Sequence, residues 1–141
     1  MDYTQKVIDA FKSPKNMGEI SDADAVGKVG NPVCGDLMWL YLKIRRNRDG
    51  RDYIYDVKAK TFGCVAAIAT SSVMTELIKG KTIDEAEKIK KDDIIKVLGG
   101  LPEQKVHCSL LAIEALEDAI RKWKLENKKN IELNKKNKRA N

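Results

Sequence analysis

The sequence predicts an α+β domain, a small antiparallel sheet covered by helices with a long helix last. Three observations predict it. Leu37 to Arg45 alternates strictly, with Met38, Leu40, Leu42 and Ile44 apolar and Trp39, Tyr41, Lys43 and Arg45 aromatic, then charged. Such period-two patterning marks a half-buried antiparallel strand. From Val65 onward the apolar period changes to that of a helix, and near the C-terminus a helical stripe runs through Leu110, Ile113, Leu116, Ile120 and Trp123.

In chain order, Tyr3, Val7, Ile8 and Phe11 have helical spacing, and Pro14 ends that run. Residues 13–33 are rich in Gly, Pro, Asn and Asp and read as loop, with a short strand around Val26–Val29. Asn47-Arg48-Asp49-Gly50 supplies a turn between the alternating strand and a second one, Tyr53–Thr61. The hairpin ends near Phe62-Gly63-Cys64. Val65, Ile68, Ala69, Ser72, Val73 and Leu77 form the next helix, stopped at Gly80. Thr82-Ile83-Asp84-Glu85 is a capping box opening a short charged helix. Asp92 or Asp93 caps another, which ends at Gly99-Gly100. After Leu101-Pro102 the last helix runs from about His107 to at least Trp123, with alanines at 112, 115 and 119 for close packing.

At 141 residues this is one domain, assigned to 1–127, followed by a basic tail, 128–141. Of the net charge of +6, Lys124–Asn141 contributes about five charges, so the body is nearly neutral. With only Leu125, Ile131 and Leu133 as isolated large apolar residues, the tail reads as a frayed helix end or disordered arm. It lacks an aromatic or glycine-patterned recognition surface, so no specific nucleic-acid partner is expected. No apolar run has the length of a membrane span or signal peptide, and a cytoplasmic protein is the default. Three cysteines, an odd number, argue against a disulfide framework.

The chemistry-bearing residues are few. Cys34 lies in a Gly/Pro loop before Gly35 and Asp36, Cys64 at the strand-to-helix junction, and Cys108 beside His107 in the first turn of the last helix. His107 is the sole histidine. Thiolates with a carboxylate and an imidazole suit zinc, iron or an iron–sulfur cluster. Helix N-termini are expected to favour the thiolate at Cys64 and Cys108. The spacings match no zinc finger or ferredoxin.

Asn31-Pro32-Val33-Cys34-Gly35-Asp36, Thr61-Phe62-Gly63-Cys64 followed by Ala67-Ile68-Ala69-Thr70-Ser71-Ser72, Ile78-Lys79-Gly80-Lys81-Thr82, and Lys105-Val106-His107-Cys108-Ser109 carry a resemblance. Over residues 3–125 the chain is similar to the IscU/NifU N-terminal family of iron–sulfur cluster assembly scaffolds. The resemblance implies a three-stranded antiparallel sheet with packed helices, and a scaffold and carrier rather than an enzyme. A cysteine desulfurase (IscS/NifS type) would supply sulfur, iron would join it, and a [2Fe–2S] cluster would pass to apo iron–sulfur proteins. Cys34, Cys64 and Cys108 then match the cluster cysteines, Asp36 the aspartate that keeps the cluster transferable, and Lys105 and His107 their counterparts beside the third cysteine. Cys108 would accept the persulfide. Either Asp36 or His107 would be the fourth ligand, zinc could occupy the resting site, and a homodimer on cluster binding is compatible. A zinc-binding sulfur-acceptor protein is the alternative.

Bacterial members carry Leu-Pro-Pro-Val-Lys, which docks an Hsp70-type chaperone. Leu101-Pro102-Glu103-Gln104-Lys105 departs from it, and desolvating Glu103 in an apolar groove speaks against that partner. The chain also lacks the insertion of the SufU branch and the further cysteine-bearing domains of full-length NifU.

Overall fold

A computed structural model describes residues 2–31 and 35–140, without the side chains of residues 31, 130–132 and 134–140. Three strands, β1 (Ala25–Asn31), β2 (Asp36–Arg46) and β3 (Asp52–Phe62), form one antiparallel sheet in the order β1-β2-β3. The alternation expected in β2 is present. Met38, Leu40 and Leu42 are fully buried, while Trp39 and Tyr41 on the opposite face are half-buried. A register shift at Lys43/Ile44 interrupts the β2–β3 ladder near its far end. The first strand is longer than the Gly-rich sequence suggested, because Gly27 and Gly30 pair within it.

Helix α1 (Gln5–Lys12) starts at Thr4, whose hydroxyl accepts the Val7 N–H. Helix α2 (Val65–Ile78) ends as expected, with Gly80 at positive φ just beyond it. It is buried on almost every side. Its hydroxyls are therefore satisfied locally or by the chain beside them. Thr70 donates to the Ala66 carbonyl at 2.7 Å, and Ser72 accepts the Lys15 N–H at 2.8 Å. Helix α3 (Ile83–Glu87) has the expected reciprocal bonds between Thr82 and Glu85. For α4 (Lys91–Val97) the cap is Lys90, not Asp92 or Asp93. Asp93 sits three residues further on, and its carboxylate accepts the Lys90 N–H at 2.8 Å. The Thr4 hydroxyl donates to the Leu98 carbonyl, tying the start of α1 to the end of α4.

A 3-10 turn (Glu103–Lys105) leads into α5 (Val106–Ala140). The expected boundary at 127/128 falls inside α5, whose backbone is helical to Ala140. The stripe of α5 differs at one position: Leu111 is buried, and Leu110 is 45% exposed. Ala112, Ala115 and Ala119 are fully buried where α5 crosses β1. The contact is backbone to backbone. A Cβ on Gly27 would lie 2.7 Å from the Ala119 amide nitrogen and 2.9 Å from the Ala119 Cβ. Glycine at 27 is what lets the helix sit this close. No helix among the described residues is long and apolar enough to cross a membrane.

Asp118 clasps the same contact. Its carboxylate accepts the Lys28 N–H at 2.9 Å and pairs with Lys122 at 2.8 Å and Arg121 at 2.6 Å. Burial would raise the carboxyl's pKa, but the bonds from Lys122, the Lys28 N–H and Arg121 outweigh it and hold the group at about 2, below the ordinary 3.8. A carboxylate depressed in the folded state contributes stability above its unfolded pKa, and that contribution is lost as pH falls through the folded value. Asp118→Asn should therefore cost about 2 kcal/mol at pH 7. The gap from wild type should close between about pH 4 and pH 2. Urea titrations across that range check this; a gap independent of pH would contradict it.

Candidate metal centre

The sheet and two helices bring the ligand-bearing residues to one edge. Asp36 is the first residue of β2, and Phe62, the last of β3, pairs with Leu37 next to it. Gly63 then turns the chain so that Cys64 becomes the N-cap of α2. From the other side, His107 and Cys108 are the second and third residues of α5. The Cys108 Sγ lies 3.7 Å from the Cys64 Sγ, 3.8 Å from Asp36 Oδ2 and 3.6 Å from His107 Nε2. One ligand atom each from Asp36, His107 and Cys108 falls within 4.8 Å of the others, a spacing that a single ion can bridge. Asp36 and Cys108 are buried, whereas Cys64 and His107 are half-buried.

The NifU-like N terminal domain family matches residues 2–130. The chain belongs to that family. It is 59% identical to the iron-sulfur cluster assembly scaffold protein IscU 1 of Archaeoglobus fulgidus, over 84% of this chain and 74% of that protein. To the scaffold protein IscU of Aquifex aeolicus it is 47% identical, over 86% of this chain and 76% of that one. Among solved structures it resembles a putative SUF-system scaffold from Fervidobacterium islandicum AW-1. That match has a TM-score of 0.67 and 30% identity, and covers 84% of this chain and 96% of the other.

Within this NifU-like domain, Asp36, Cys64, His107 and Cys108 come together as the sequence suggested. Cys34 lies outside the described residues, separated from Asp36 only by Gly35, which has a φ of +74°. Lys105 closes the turn before α5, and its ammonium is held above the ordinary range, first by Cys64 and then by Tyr3. Tyr3 is a residue that sequence reasoning missed. Burial raises its phenol, with Cys64 the next cause. Its only sequence signal was an aromatic just before the Thr4 cap, where it counted as part of the apolar face of α1.

The expected thiolate at Cys108 needs correction. Cys108 is fully buried, and burial pushes its thiol far above the ordinary range. Cys64 and Asp36 push the same way, and Lys105 opposes them. Burial therefore outweighs the helix-end effect, and the Val106 N–H at the start of α5 is bonded to the Glu103 carbonyl. Without a cation Cys108 is therefore a neutral thiol, and binding a cation there displaces its proton.

Iodoacetamide at pH 8 should therefore alkylate Cys64 roughly tenfold or more faster than Cys108 in the folded, metal-free chain, because the thiolate is the nucleophile and access is unequal. Timed quenching and peptide mass mapping measure both rates. Equal rates would contradict the burial argument.

Proposed function

We propose that this chain is a scaffold on which an iron–sulfur cluster is assembled and from which it passes to apo-proteins. The cluster is cargo, not a resident cofactor. One observation carries the reading: two thiols, a carboxylate and an imidazole from three separate chain segments meet at one edge of the domain. Thiolates are the ligands that iron–sulfur clusters take, while a carboxylate is a harder, more exchangeable one. A holder that must release its load needs both.

In the finer reading, Cys34, Cys64 and Cys108 bind a [2Fe–2S] cluster, and Asp36 keeps it exchangeable. His107 stands ready as the other candidate for the fourth position. Zinc would fit the same group in the resting state, with Asp36, His107 and Cys108 supporting that. The partners are a cysteine desulfurase and apo iron–sulfur proteins, in a cytosolic setting that keeps thiols reduced. Glu103 and Gln104 are exposed on the 3-10 turn, so an apolar chaperone groove would have to desolvate them. The segment 128–141, with six Lys or Arg residues, we read as an arm peripheral to this role.

Anaerobic reconstitution with iron and sulfide tests the scaffold reading. Wild type should become coloured and oxygen-sensitive, and Cys34→Ser, Cys64→Ser and Cys108→Ser should each lose most of the bound iron and sulfide. If all three variants keep wild-type content, the reading is wrong.

Sulfur delivery is assigned to Cys108. Its thiolate attacks the outer sulfur of the desulfurase persulfide. The S–S bond breaks with its electron pair leaving on the desulfurase thiolate, and a new S–S bond forms on Cys108. Lys105 favours the attacking thiolate, but the buried Cys108 has to be uncovered first. After incubation with a desulfurase and cysteine, mass spectrometry should find the added sulfur on the Cys108 peptide. Label confined to the Cys34 or Cys64 peptides would overturn the assignment.

A further inference from the structure

Gly63 stands between the last residue of β3 and the N-cap of α2, and its φ lies outside the left-handed region that favours glycine. Its backbone conformation therefore does not explain a glycine here. Space does. A Cβ on Gly63 would overlap Asp36 Oδ1 and lie 2.8 Å from Asp36 Cγ, with the Ala67 Cβ at 3.0 Å. Asp36 is only 3% exposed, so its carboxylate can give way only by shifting within the site, where its other oxygen lies 3.8 Å from the Cys108 Sγ. Of the atoms in the way, those of the Asp36 carboxyl are the closest.

We propose that Gly63 is a positioning residue for the Asp36 carboxylate: the missing side chain forms the slot that holds the carboxylate against the Cys108 thiol. This rests on the scaffold reading for its consequence in cluster release. Its structural content stands without it. A side chain at 63 displaces the carboxylate from the thiol, so Gly63→Ala acts on the cluster as removal of the carboxylate does. The strand, the turn and the cap at Cys64 keep their backbone path.

The test uses the full chain as wild type, Gly63→Ala, Asp36→Ala and the double variant. In the metal-free proteins, 13C NMR of labelled aspartate carboxyls locates the Asp36 resonance by its loss in Asp36→Ala. It should shift in Gly63→Ala while the other aspartates hold. In the reconstituted proteins, cluster transfer to an apo-ferredoxin is timed by circular dichroism. Gly63→Ala should slow transfer by roughly threefold or more, the scale of coupling between touching residues. It should add nothing in the Asp36→Ala background. Melting temperatures complete the cycle. Gly63→Ala should destabilise the wild-type background and Asp36→Ala far less, because truncation removes the overlapping carboxyl atoms and leaves only the Ala67 Cβ at 3.0 Å. A Gly63→Ala protein that does not fold, beside a double variant that does, is the same result in stronger form.

An unmoved Asp36 resonance, a slowing or destabilisation of equal size in both backgrounds, or a double variant that fails to fold where Asp36→Ala folds would overturn the proposal. If no protein in the set assembles a cluster, the scaffold reading fails, and the NMR and melting arms still decide the role of Gly63.

Discussion

The seat of α5 on β1 is the contact on which the site depends. Without side-chain atoms at Gly27, the Ala115 and Ala119 backbone fills the space a Cβ would take on the strand, and Asp118 fastens the Lys28 N–H to the helix. A helix crossing this close has a fixed axial position. A shift along its axis would drive the Ala115 carbonyl or the Ala119 amide into the strand. Cys108 lies two turns before Ala115 on the same rod. Sheet topology fixes the other half: in an antiparallel β2–β3 pair, the start of one strand and the end of the other share an edge. Asp36, Gly63 and Cys64 are thus brought to the point where the start of α5 arrives. Residues 72 positions apart meet because a backbone contact sets one of them and a strand register sets the other.

What meets there is electrostatically uncomfortable. A carboxylate and two thiols lie within 3.8 Å of one thiol or another. Two full negative charges about 4 Å apart repel by roughly 4 kcal/mol at an effective dielectric constant near 20. The metal-free protein relieves this by keeping Cys108 protonated, and Lys105 offsets part of the remainder. A cation held by these residues would take over that compensation, and Cys108 would have to give up its proton to bind it. Burial first and this repulsion second thus keep the thiol neutral in the metal-free chain, so that in the proposed scaffold the holding of cargo would be sensitive to pH.

Much of the fold was legible because its signals are local. The alternation of β2, the capping box at Thr82 and the glycine beyond α2 each need only a few neighbouring residues. The misses share a different cause. Leu110 and Leu111 are adjacent and equally apolar, and only the direction from which the sheet approaches α5 decides which is buried. Asp92 and Asp93 were both good caps by type, yet the reciprocal bond to Lys90 moved the helix start upstream. Cys108 was read from its place near a helix end. Its burial comes from packing between α5, α2 and the sheet, which no local pattern reports. That Asp36, Cys64, His107 and Cys108 lie near one another was legible from residue types at element boundaries. The site's protonation and the presence of Tyr3 were not, because both follow from tertiary distance.

The burial of the ligands divides the centre into two halves with different duties. Asp36 and Cys108 are enclosed, one at the start of a strand and the other on the inner face of α5. Cys64 and His107 are half-buried, one at a helix cap with no side-chain bond of its own to the capped amides, the other on the rim of α5. The enclosed half gives a fixed geometry to whatever is bound. In the proposed scaffold, solvent or an incoming thiol would reach the rim half first, while the Asp36 carboxylate would supply the weaker bond within the enclosed half. Ligand exchange proceeds one bond at a time, so it begins where a replacement group has access. An all-buried set would hold its load against exchange, and an all-exposed set would not fix its geometry. The junction of a β-hairpin with two helix starts supplies both kinds, with Asp36 and Cys108 turned inward and Cys64 and His107 at the rim.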